Sequence, residues 1–248
     1  MDRSLYVAMT GAIQTLKAQA ANSHNLANAS TTGFRAELIA NQSRAVEGAG
    51  LPTRVNALGV GAGWDARTGA MQQTGRDLDV AFAEDVWLAV LAPDGTEAYT
   101  KAGDLQIDSA GQLRTGAGHA VLGDGGPMAI PPHAQLRIGG DGTVSVVPQG
   151  SGAETLAAIG RLRTVSAVPQ QLERGGDGLM RARPGEPPAP APGTVLVTGA
   201  LESSNVSLPE AMVNMISLSR QFELQVKLMR TAEDNAQSAS SLLRMNGA

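Results

Sequence analysis

Apolar side chains recur at helical spacing along the first 30 residues. Successive members of the stripe stand three or four residues apart, as in a heptad repeat. The stripe consists of Tyr6, Met9, Ile13, Leu16, Ala20, Ser23 and Ala27, and Leu5, Ala12 and Leu26 widen it. The pattern predicts one amphipathic helix over residues 3–28, although Gly11 lies inside it and costs about 1 kcal/mol relative to alanine.

A second stripe of the same spacing occupies the other end of the chain. Its members are Ala211, Met215, Leu218, Phe222, Gln225, Met229, Ala232, Ala236, Ala239 and Leu243, of which Gln225 is the one clearly polar residue. The pattern predicts a helix over 208–245, about 55 Å long. A narrow stripe of this length is typical of a helix that packs against partner helices.

Between these helices the hydrophobic period is two and glycine punctuates the chain. Residues 87–91 and 97–100 flank a Pro-Asp-Gly turn, and residues 136–138 and 144–146 flank Gly-Gly-Asp-Gly, so both pairs predict hairpins. Short strands at this spacing predict an all-β domain of the sandwich or partly open barrel type over 64–200.

The chain therefore has four predicted segments. An N-terminal helix and its following turn occupy 1–34, an extended connector with weak periodicity occupies 35–63, the central β domain occupies 64–200, and the C-terminal helix occupies 201–248. The predicted fold class is mainly β with long α-helical termini.

Composition narrows the range of possible functions. The 248 residues contain 7 aromatic residues and no cysteine, and the formal net charge is −4. Few aromatic residues predict a thin core, the absence of cysteine excludes disulfides and thiolate metal sites, and a mildly acidic chain is a poor binder of nucleic acid. No apolar run is long enough to span a membrane.

The sequence gives only weak signals for catalytic or ligand-binding groups. The three histidines, His24, His119 and His133, lack the spacing of a metal site. A Gly-x-Gly-x-Gly run at 59–63 resembles a dinucleotide-binding loop, but no helix pattern follows it. Asp77 and Asp79 alternate with apolar neighbours, which predicts the solvent face of a β segment. We expect no enzyme activity, no cofactor and no metal.

The N-terminus allows one alternative. Residues 5–13 are apolar and 18–20 resemble a small-residue cleavage site, which is compatible with a secretory signal. Asp2 cancels Arg3, however, and the apolar stripe continues past the supposed cleavage site. We therefore expect no cleaved signal peptide.

Three asparagines recur every three residues at the end of the first helix: Asn22, Asn25 and Asn28. They share one helical face, and Gly33 follows as a residue able to end the helix. This arrangement is either a polar helix face with a C-terminal cap or an array that bonds to backbone groups of neighbouring chains.

The stretch SHNLANASTTGFRA, residues 23–36, resembles the N-terminal motif of the flagellar axial proteins, the rod and hook family. The family pattern is an Asn-Leu-Ala-Asn core followed by a Thr-x-Gly-Phe/Tyr turn. Residues 201–206 resemble the entry to the terminal helix of that family, and 212–216 and 220–223 resemble the helix itself. Residues 74–90 are loosely similar to its middle region.

This resemblance implies a structural subunit of the basal-body rod, in its proximal part, that assembles helically and transmits torque from motor to hook. It also implies that the terminal helices form a coiled-coil-like inner layer with the β domain outside. The implied partners are copies of this chain, other proximal and distal rod proteins and the flagellar export apparatus, with no nucleic acid and no direct membrane insertion. The implied location is the rod, which crosses the periplasm.

The stripes and the family motifs together give a predicted assembly interface. It comprises Leu5, Met9, Ile13, Leu16, Asn25, Leu26, Asn28, Gly33, Phe34, Asn205, Val206, Met212, Met215, Leu218, Phe222, Glu223, Met229 and Leu243. We expect the two terminal helices to be dynamic in the monomer and to order on assembly, and the β domain to fold alone. The alternatives are a distal-rod subunit of the same family and, from a different class, a secreted β-domain adhesin or binding module with a coiled-coil stalk.

Overall fold

A computed structural model of the chain describes residues 4–45, 55–149, 156–185, 187–193 and 196–245. The described residues divide into two compact units. Unit 1 lies within Met1–Ala29, Glu37–Trp64 and Val206–Ala248, and unit 2 lies within Ser30–Ala36 and Asp65–Asn205. The short segment that follows the first helix therefore belongs to unit 2.

Unit 1 contains two helices and two strands: α1 (Ser4–Ala27), β1 (Glu37–Ala45), β2 (Val55–Trp64) and α2 (Leu208–Met245). The helices pack together, and both strands contact α1. Asn22 meets Ala211 and Thr15 meets Gln225, so α1 and α2 run antiparallel. The two predicted terminal helices are confirmed, and their packing makes unit 1 mainly helical.

The segment predicted as an extended connector contains a pair of long strands. β1 and β2 pair in antiparallel register from Glu37 opposite Trp64 to Ala45 opposite Val55, with a bulge between Leu38 and Ile39. Several glycines in β2 weaken the alternation of apolar and polar residues that would mark a strand. The sequence interpretation therefore recognised the extended backbone here but missed its pairing.

Unit 2 consists of short strands and one 3₁₀ turn, Pro169–Gln171. The strands are β3 (Met71–Gln73), β4 (Val80–Phe82), β5 (Val86–Leu91), β6 (Glu97–Thr100), β7 (Leu105–Ile107), β8 (Leu113–Thr115), β9 (Ala120–Gly123), β10 (Gly126–Pro127), β11 (His133–Ile138), β12 (Thr143–Pro148), β13 (Ala157–Arg161), β14 (Thr164–Ser166), β15 (Leu172–Arg174), β16 (Met180–Ala182), β17 (Ala189–Pro190), β18 (Leu196–Thr198) and β19 (Ala200–Glu202). Glycine and proline between them limit most strands to a few residues.

These strands form several antiparallel sheets. The largest has the order β15-β16-β6-β5-β9-β8-β7, with β10 beside β9, and β14 between β5 and β17. A three-stranded sheet joins β11, β12 and β13, and two-stranded sheets join β18 to β4 and β19 to β3. The predicted hairpins β5–β6 and β11–β12 are confirmed, and the described strands form no closed barrel.

The hydrophobic core of unit 2 consists mostly of branched aliphatic side chains. Leu88, Val90, Leu105 and Val121 are completely buried, and Phe82 is the aromatic member of this cluster among the described residues. Burial of each such side chain contributes about 1.5–3 kcal/mol. Many small contributions from several short strands therefore replace the large aromatic contacts of a typical core.

One sequence expectation about unit 2 is wrong. The alternation around Asp77 and Asp79 predicted that both carboxylates face solvent, but Asp77 is exposed and Asp79 is buried. The cause is that Asp79 forms an isolated bridge with Asp104 instead of continuing a solvent-facing strand.

Candidate functional site

The face of α1 that packs against α2 is small and polar. The Thr15 hydroxyl donates to Gln225 Oε1 at 3.2 Å, and a Cβ added to Gly11 would lie 3.1 Å from Gln225 Nε2. Closer to the other end of the pair, Asn22 Nδ2 donates to the carbonyl oxygen of Ala211 at 2.7 Å. Hydrogen bonds thus fix the register of the helix pair, and the α1 residues at these contact points are small or polar.

The large apolar side chains of α1 lie on a different face. Leu5, Met9, Ile13 and Leu16 are exposed by 39%, 43%, 42% and 48%. Their spacing of four, four and three residues places them on one side of the helix, away from the positions that contact α2. We call these four residues the exposed α1 face. In the described chain this face has no helix packed on it.

The two sides of α2 differ in the same way. Met215, Leu218, Phe222 and Met229 are half-buried and share the side of Ala211 and Gln225, the residues that contact α1. Leu208, Met212 and Ile216 are exposed by 45%, 49% and 57% and stand four residues apart on another side of the first turns. Both helices therefore carry apolar surface beyond what their mutual contact covers.

The asparagines of the first motif bond to the backbone of their own chain. Asn25 donates from Nδ2 to the carbonyl of Glu37 at 2.9 Å and accepts at Oδ1 from the N–H of Glu37 at 2.8 Å. Asn28 donates to the carbonyl of His24 at 2.9 Å. The sequence interpretation left open a polar helix face with a C-terminal cap or an array that bonds to backbone groups of neighbouring chains. The structure instead uses the amide of Asn25 to hold the start of β1 beside α1.

Unit 2 joins the segment after α1 to the segment before α2. The N–H of Gly33 donates to the carbonyl of Glu202 at 2.8 Å, and the N–H of Asn205 donates to the carbonyl of Phe34 at 3.2 Å. The Asn205 side chain accepts from the N–H of Ala36 at 2.7 Å and donates to the carbonyl of Arg67 at 2.9 Å. We call residues 33–36, 65–69 and 202–205 the junction.

A buried ion pair crosses the junction. Arg35 Nη1 lies 2.6 Å from Glu202 Oε1, and each side chain is only 1% exposed. Glu202 Oε1 also accepts from the N–H of Gly69 at 2.9 Å, and Arg35 Nη1 donates to the carbonyl of Arg67 at 2.6 Å. Removing one partner of such a pair costs about 3–5 kcal/mol because the other charge stays buried.

Lys101 adds a third buried charge near this pair. Its Nζ donates to the carbonyls of Ala83 and Glu84 at 2.5 and 2.7 Å and lies 5.1 Å from the centre of the Trp87 ring. Burial lowers the pKa of Lys101 to about 8, while the charge of Glu202 acts in the opposite direction. A neutral amine keeps two N–H donors, which match the two carbonyl acceptors.

The Gly-Phe pair of the family motif occupies the tightest part of the junction. Gly33 has φ +65°, and a Cβ at this position would lie 2.3 Å from the carbonyl carbon of Lys101. Phe34 is buried, with the guanidinium carbon of Arg174 4.4 Å from its ring centre. Both residues thus have structural reasons for their place in the motif.

The predicted interface residues fall into four groups. The exposed ones are Leu5, Met9, Ile13, Leu16, Met212 and Glu223, and the half-buried ones are Leu26, Met215, Leu218, Phe222, Met229 and Val206. Two asparagines, Asn25 and Asn28, bond to the backbone of unit 1, and the junction contains Gly33, Phe34 and Asn205. The side chain of Leu243 lies outside the described residues. Sequence reasoning missed Arg35, Glu202 and Lys101, whereas it singled out Asn22, Asn25 and Asn28 as hydrogen-bonding residues and noted Gln225 as the polar residue in an apolar stripe.

Other kinds of site are missing from the described part of the chain. Those residues contain no group of three or more His, Asp or Glu side chains that could hold a metal ion. None of the described helices is long and apolar enough to cross a membrane.

Comparison with known proteins identifies relatives along the whole chain. Three family models match: "Flagella basal body rod protein" over residues 5–35, "Flagellar hook protein FlgE/F/G D1 domain" over 83–146 and "Flagellar basal body rod FlgEFG protein C-terminal" over 197–242. The first and third include the asparagine motif and most of α2.

Individual proteins match over nearly their full length. The flagellar basal-body rod protein FlgF of Escherichia coli (strain K12) is 44% identical and that of Salmonella typhimurium is 42% identical, each over 99% of this chain and 100% of the relative. The flagellar basal-body rod protein FlgG of Bacillus subtilis (strain 168) is 31% identical over 98% of this chain and 100% of its own length.

Proposed function

Because this chain belongs to the flagellar basal-body rod protein family, we propose that it is a structural subunit of the proximal rod, assembled helically through its terminal helices. Like the other members of this family, it is a structural protein and not an enzyme. In the rod it transmits torque from the motor to the hook. Its partners are copies of itself and other proximal and distal rod proteins. The flagellar export apparatus delivers it to the rod without cleavage of a signal peptide. The rod crosses the periplasm.

The observation that carries this proposal is the exposed α1 face. Four large apolar side chains, Leu5, Met9, Ile13 and Leu16, are each exposed by more than a third, although α1 already packs against α2 through its small and polar side. A contiguous apolar surface of this kind marks a protein–protein contact. A helix from a neighbouring subunit would cover it.

The exposed residues of α2 supply a second, different surface. Leu208, Met212 and Ile216 are not equivalent to the exposed α1 face, so contact between one surface and the other is heterologous. Heterologous contacts that do not close into a ring build open helical assemblies. This supports a rod in which each subunit contributes both surfaces.

Two relatives named FlgF, at 44% and 42% identity, are more similar to this chain than the FlgG of Bacillus subtilis at 31%, which favours the proximal over the distal part of the rod. The secreted adhesin remains the alternative from another class. It accounts for exposed helical seams but not for the family membership. An adhesin would alter surface attachment and leave motility intact when its gene is deleted.

Charge substitutions on the two helices test the assembly surface. Ile13→Asp and Met212→Asp should abolish swimming and incorporation into purified basal bodies, because a carboxylate in a helix–helix contact is desolvated. Far-UV circular dichroism of the purified monomers should stay unchanged, since both residues are exposed in unit 1. Asn214→Asp adds the same charge near Met212 at an exposed polar position and should swim normally. Normal motility of Ile13→Asp would contradict the proposal.

We also propose that the terminal helices gain most of their order on assembly, since both leave large apolar side chains exposed that a neighbouring subunit would cover. Narrow, rapidly exchanging amide signals from 4–27 and 208–245 are expected in spectra of the dilute monomer. Protected helical amides throughout both segments would contradict this.

A further inference from the structure

Two carboxylates stand opposite each other at a bridge between strands of unit 2. Asp79 precedes β4 and Asp104 precedes β7, and the two residues form an isolated antiparallel bridge. The N–H of Val80 donates to the carbonyl of Gly103 at 2.9 Å, and the N–H of Leu105 donates to the carbonyl of Leu78 at 3.2 Å. Residues directly opposite in such a pair have Cβ atoms about 4.5–5.5 Å apart, and like charges there destabilise it.

The surroundings compensate only part of this charge. The Asp79 side chain is 6% exposed, and its Oδ1 has no hydrogen-bond donor among the described residues, with Arg76 Nε 3.6 Å away. Arg76 also donates from Nη2 to the carbonyl of Leu105, which holds its guanidinium in place. One arginine therefore faces two carboxylates.

Asp104 is the member of the pair on which a proton is favoured. Burial raises the pKa of its carboxyl and the negative charge of Asp79 adds to this effect, whereas the backbone N–H groups of Asp104 itself and of Gly116 and the charge of Arg76 oppose it. Asp79 and Arg76 are the charged side chains that act on it within the described residues. A protonated Asp104 supplies an O–H donor on the residue directly opposite Asp79, whose Oδ1 is an unsatisfied acceptor among the described residues.

We propose that Asp79 and Asp104 hold one proton between them, carried on Asp104, and that this pair is a clasp which tightens in acid and loosens as the proton leaves. β4 pairs with β18, whereas β7 is the edge strand of the largest sheet. The clasp therefore joins two sheets of unit 2, and its state of protonation controls local opening at their contact.

The sign of the pH dependence follows from linkage. A carboxyl with a raised pKa in the folded state contributes stability that is fully present below the pKa of the unfolded chain, about 3.9, and is lost as the pH rises through the raised value. The bridge between β4 and β7 is thus weaker at neutral pH than in mild acid.

Thermal unfolding of the full chain tests the clasp in a Trp64→Phe background, which leaves Trp87 of unit 2 as the sole tryptophan reporter. Asp104→Asn keeps the shape of the side chain, removes its charge and supplies an N–H donor. Its melting temperature at neutral pH should exceed that of the unaltered chain by about 3–5 °C for each unit by which the pKa is raised. The difference should shrink as the pH falls and vanish below the pKa of the unfolded chain, about 3.9.

Asp77→Asn is the matched control, because Asp77 is an exposed acid two residues from Asp79, and it should leave the pH profile unchanged. Carbon-detected NMR titration of the Asp104 carboxyl in the unaltered chain gives a direct second measurement. A pKa at or below the ordinary value for aspartate would overturn the proposal. So would stabilisation by excess CaCl₂ at neutral pH that Asp104→Asn abolishes, since the pair would then bind a cation and not a proton.

Discussion

At Gly33 the backbone conformation and the space around the Cα impose two separate requirements. The positive φ of 65° disfavours any side chain, and the backbone of Lys101 fills the place where a Cβ would go. Only the first requirement follows from the sequence, because glycine after a helix indicates a left-handed cap. The second depends on Lys101, in the segment that follows β6 about 70 residues further along the chain.

Gly33→Ala should therefore destabilise unit 2 by about 2–4 kcal/mol, since a strained φ is combined with a steric clash. Gly118→Ala is the control: Gly118 has φ +89°, and nothing lies within 4 Å of an added Cβ. It should cost only about 1 kcal/mol. Urea denaturation of the two variants measures the difference, and equal losses would show that the contact with Lys101 is unimportant.

The buried charges of the junction could not be predicted from the residues around each one in the sequence. Arg35 and Glu202 are separated by most of the chain, and no spacing in the sequence pairs them. A pair of this kind is recognised only when the fold brings the two residues within hydrogen-bond distance, as the junction does at 2.6 Å. The stretches that resemble the family, 23–36 and 201–206, nevertheless contain both residues.

At the scale of elements, periodicity predicted the helices and hairpins but not which face of each helix is covered within the chain. The heptad stripe of α1 correctly indicated a helix, yet its large members lie outside the contact with α2, and Gly11, Thr15 and Asn22 form the contact instead. Periodicity identifies an apolar face, but it does not say whether that face is covered within the chain or by another molecule. The pairing of β1 with β2 was missed because glycines in β2 obscure the alternation.

Helix packing around Gln225 gives a prediction at this scale. Gln225→Ala should destabilise the helix pair by about 1 kcal/mol, because it removes the hydrogen bond from Thr15. In that background Gly11→Ala should gain about 1 kcal/mol of helix propensity. In the unaltered chain the gain should be smaller, because Gln225 lies against the added methyl group.

A double-mutant cycle followed by circular dichroism measures this coupling. Gln221→Ala, at an exposed position of the same helix, is the control and should show no coupling with Gly11→Ala. If Gly11→Ala has the same effect in both backgrounds, Gln225 does not pack on Gly11.

At the scale of the whole molecule, the boundary of the β domain is the main difference between sequence and structure. Composition placed the domain at 64–200, whereas unit 2 also includes 30–36 and continues to Asn205. The added segments are the ones that carry Arg35 and Glu202. A boundary drawn from hydrophobic period alone excludes them, because neither segment is long enough to show a period.

Fragments of unit 2 test what segment 30–36 contributes to its stability. A fragment of residues 30–205 retains the Arg35–Glu202 pair, whereas 65–205 leaves Glu202 buried without Arg35. The shorter fragment should be less stable by roughly 3–5 kcal/mol and should be digested first in limited proteolysis. Glu202→Gln separates the loss of the ion pair from the loss of chain. It should destabilise 30–205 strongly and 65–205 much less, because the shorter fragment has already lost the partner charge. Equal effects in both fragments would mean that Arg35 contributes nothing to the stability of unit 2, and that segment 30–36 is held there by its backbone hydrogen bonds and by Phe34.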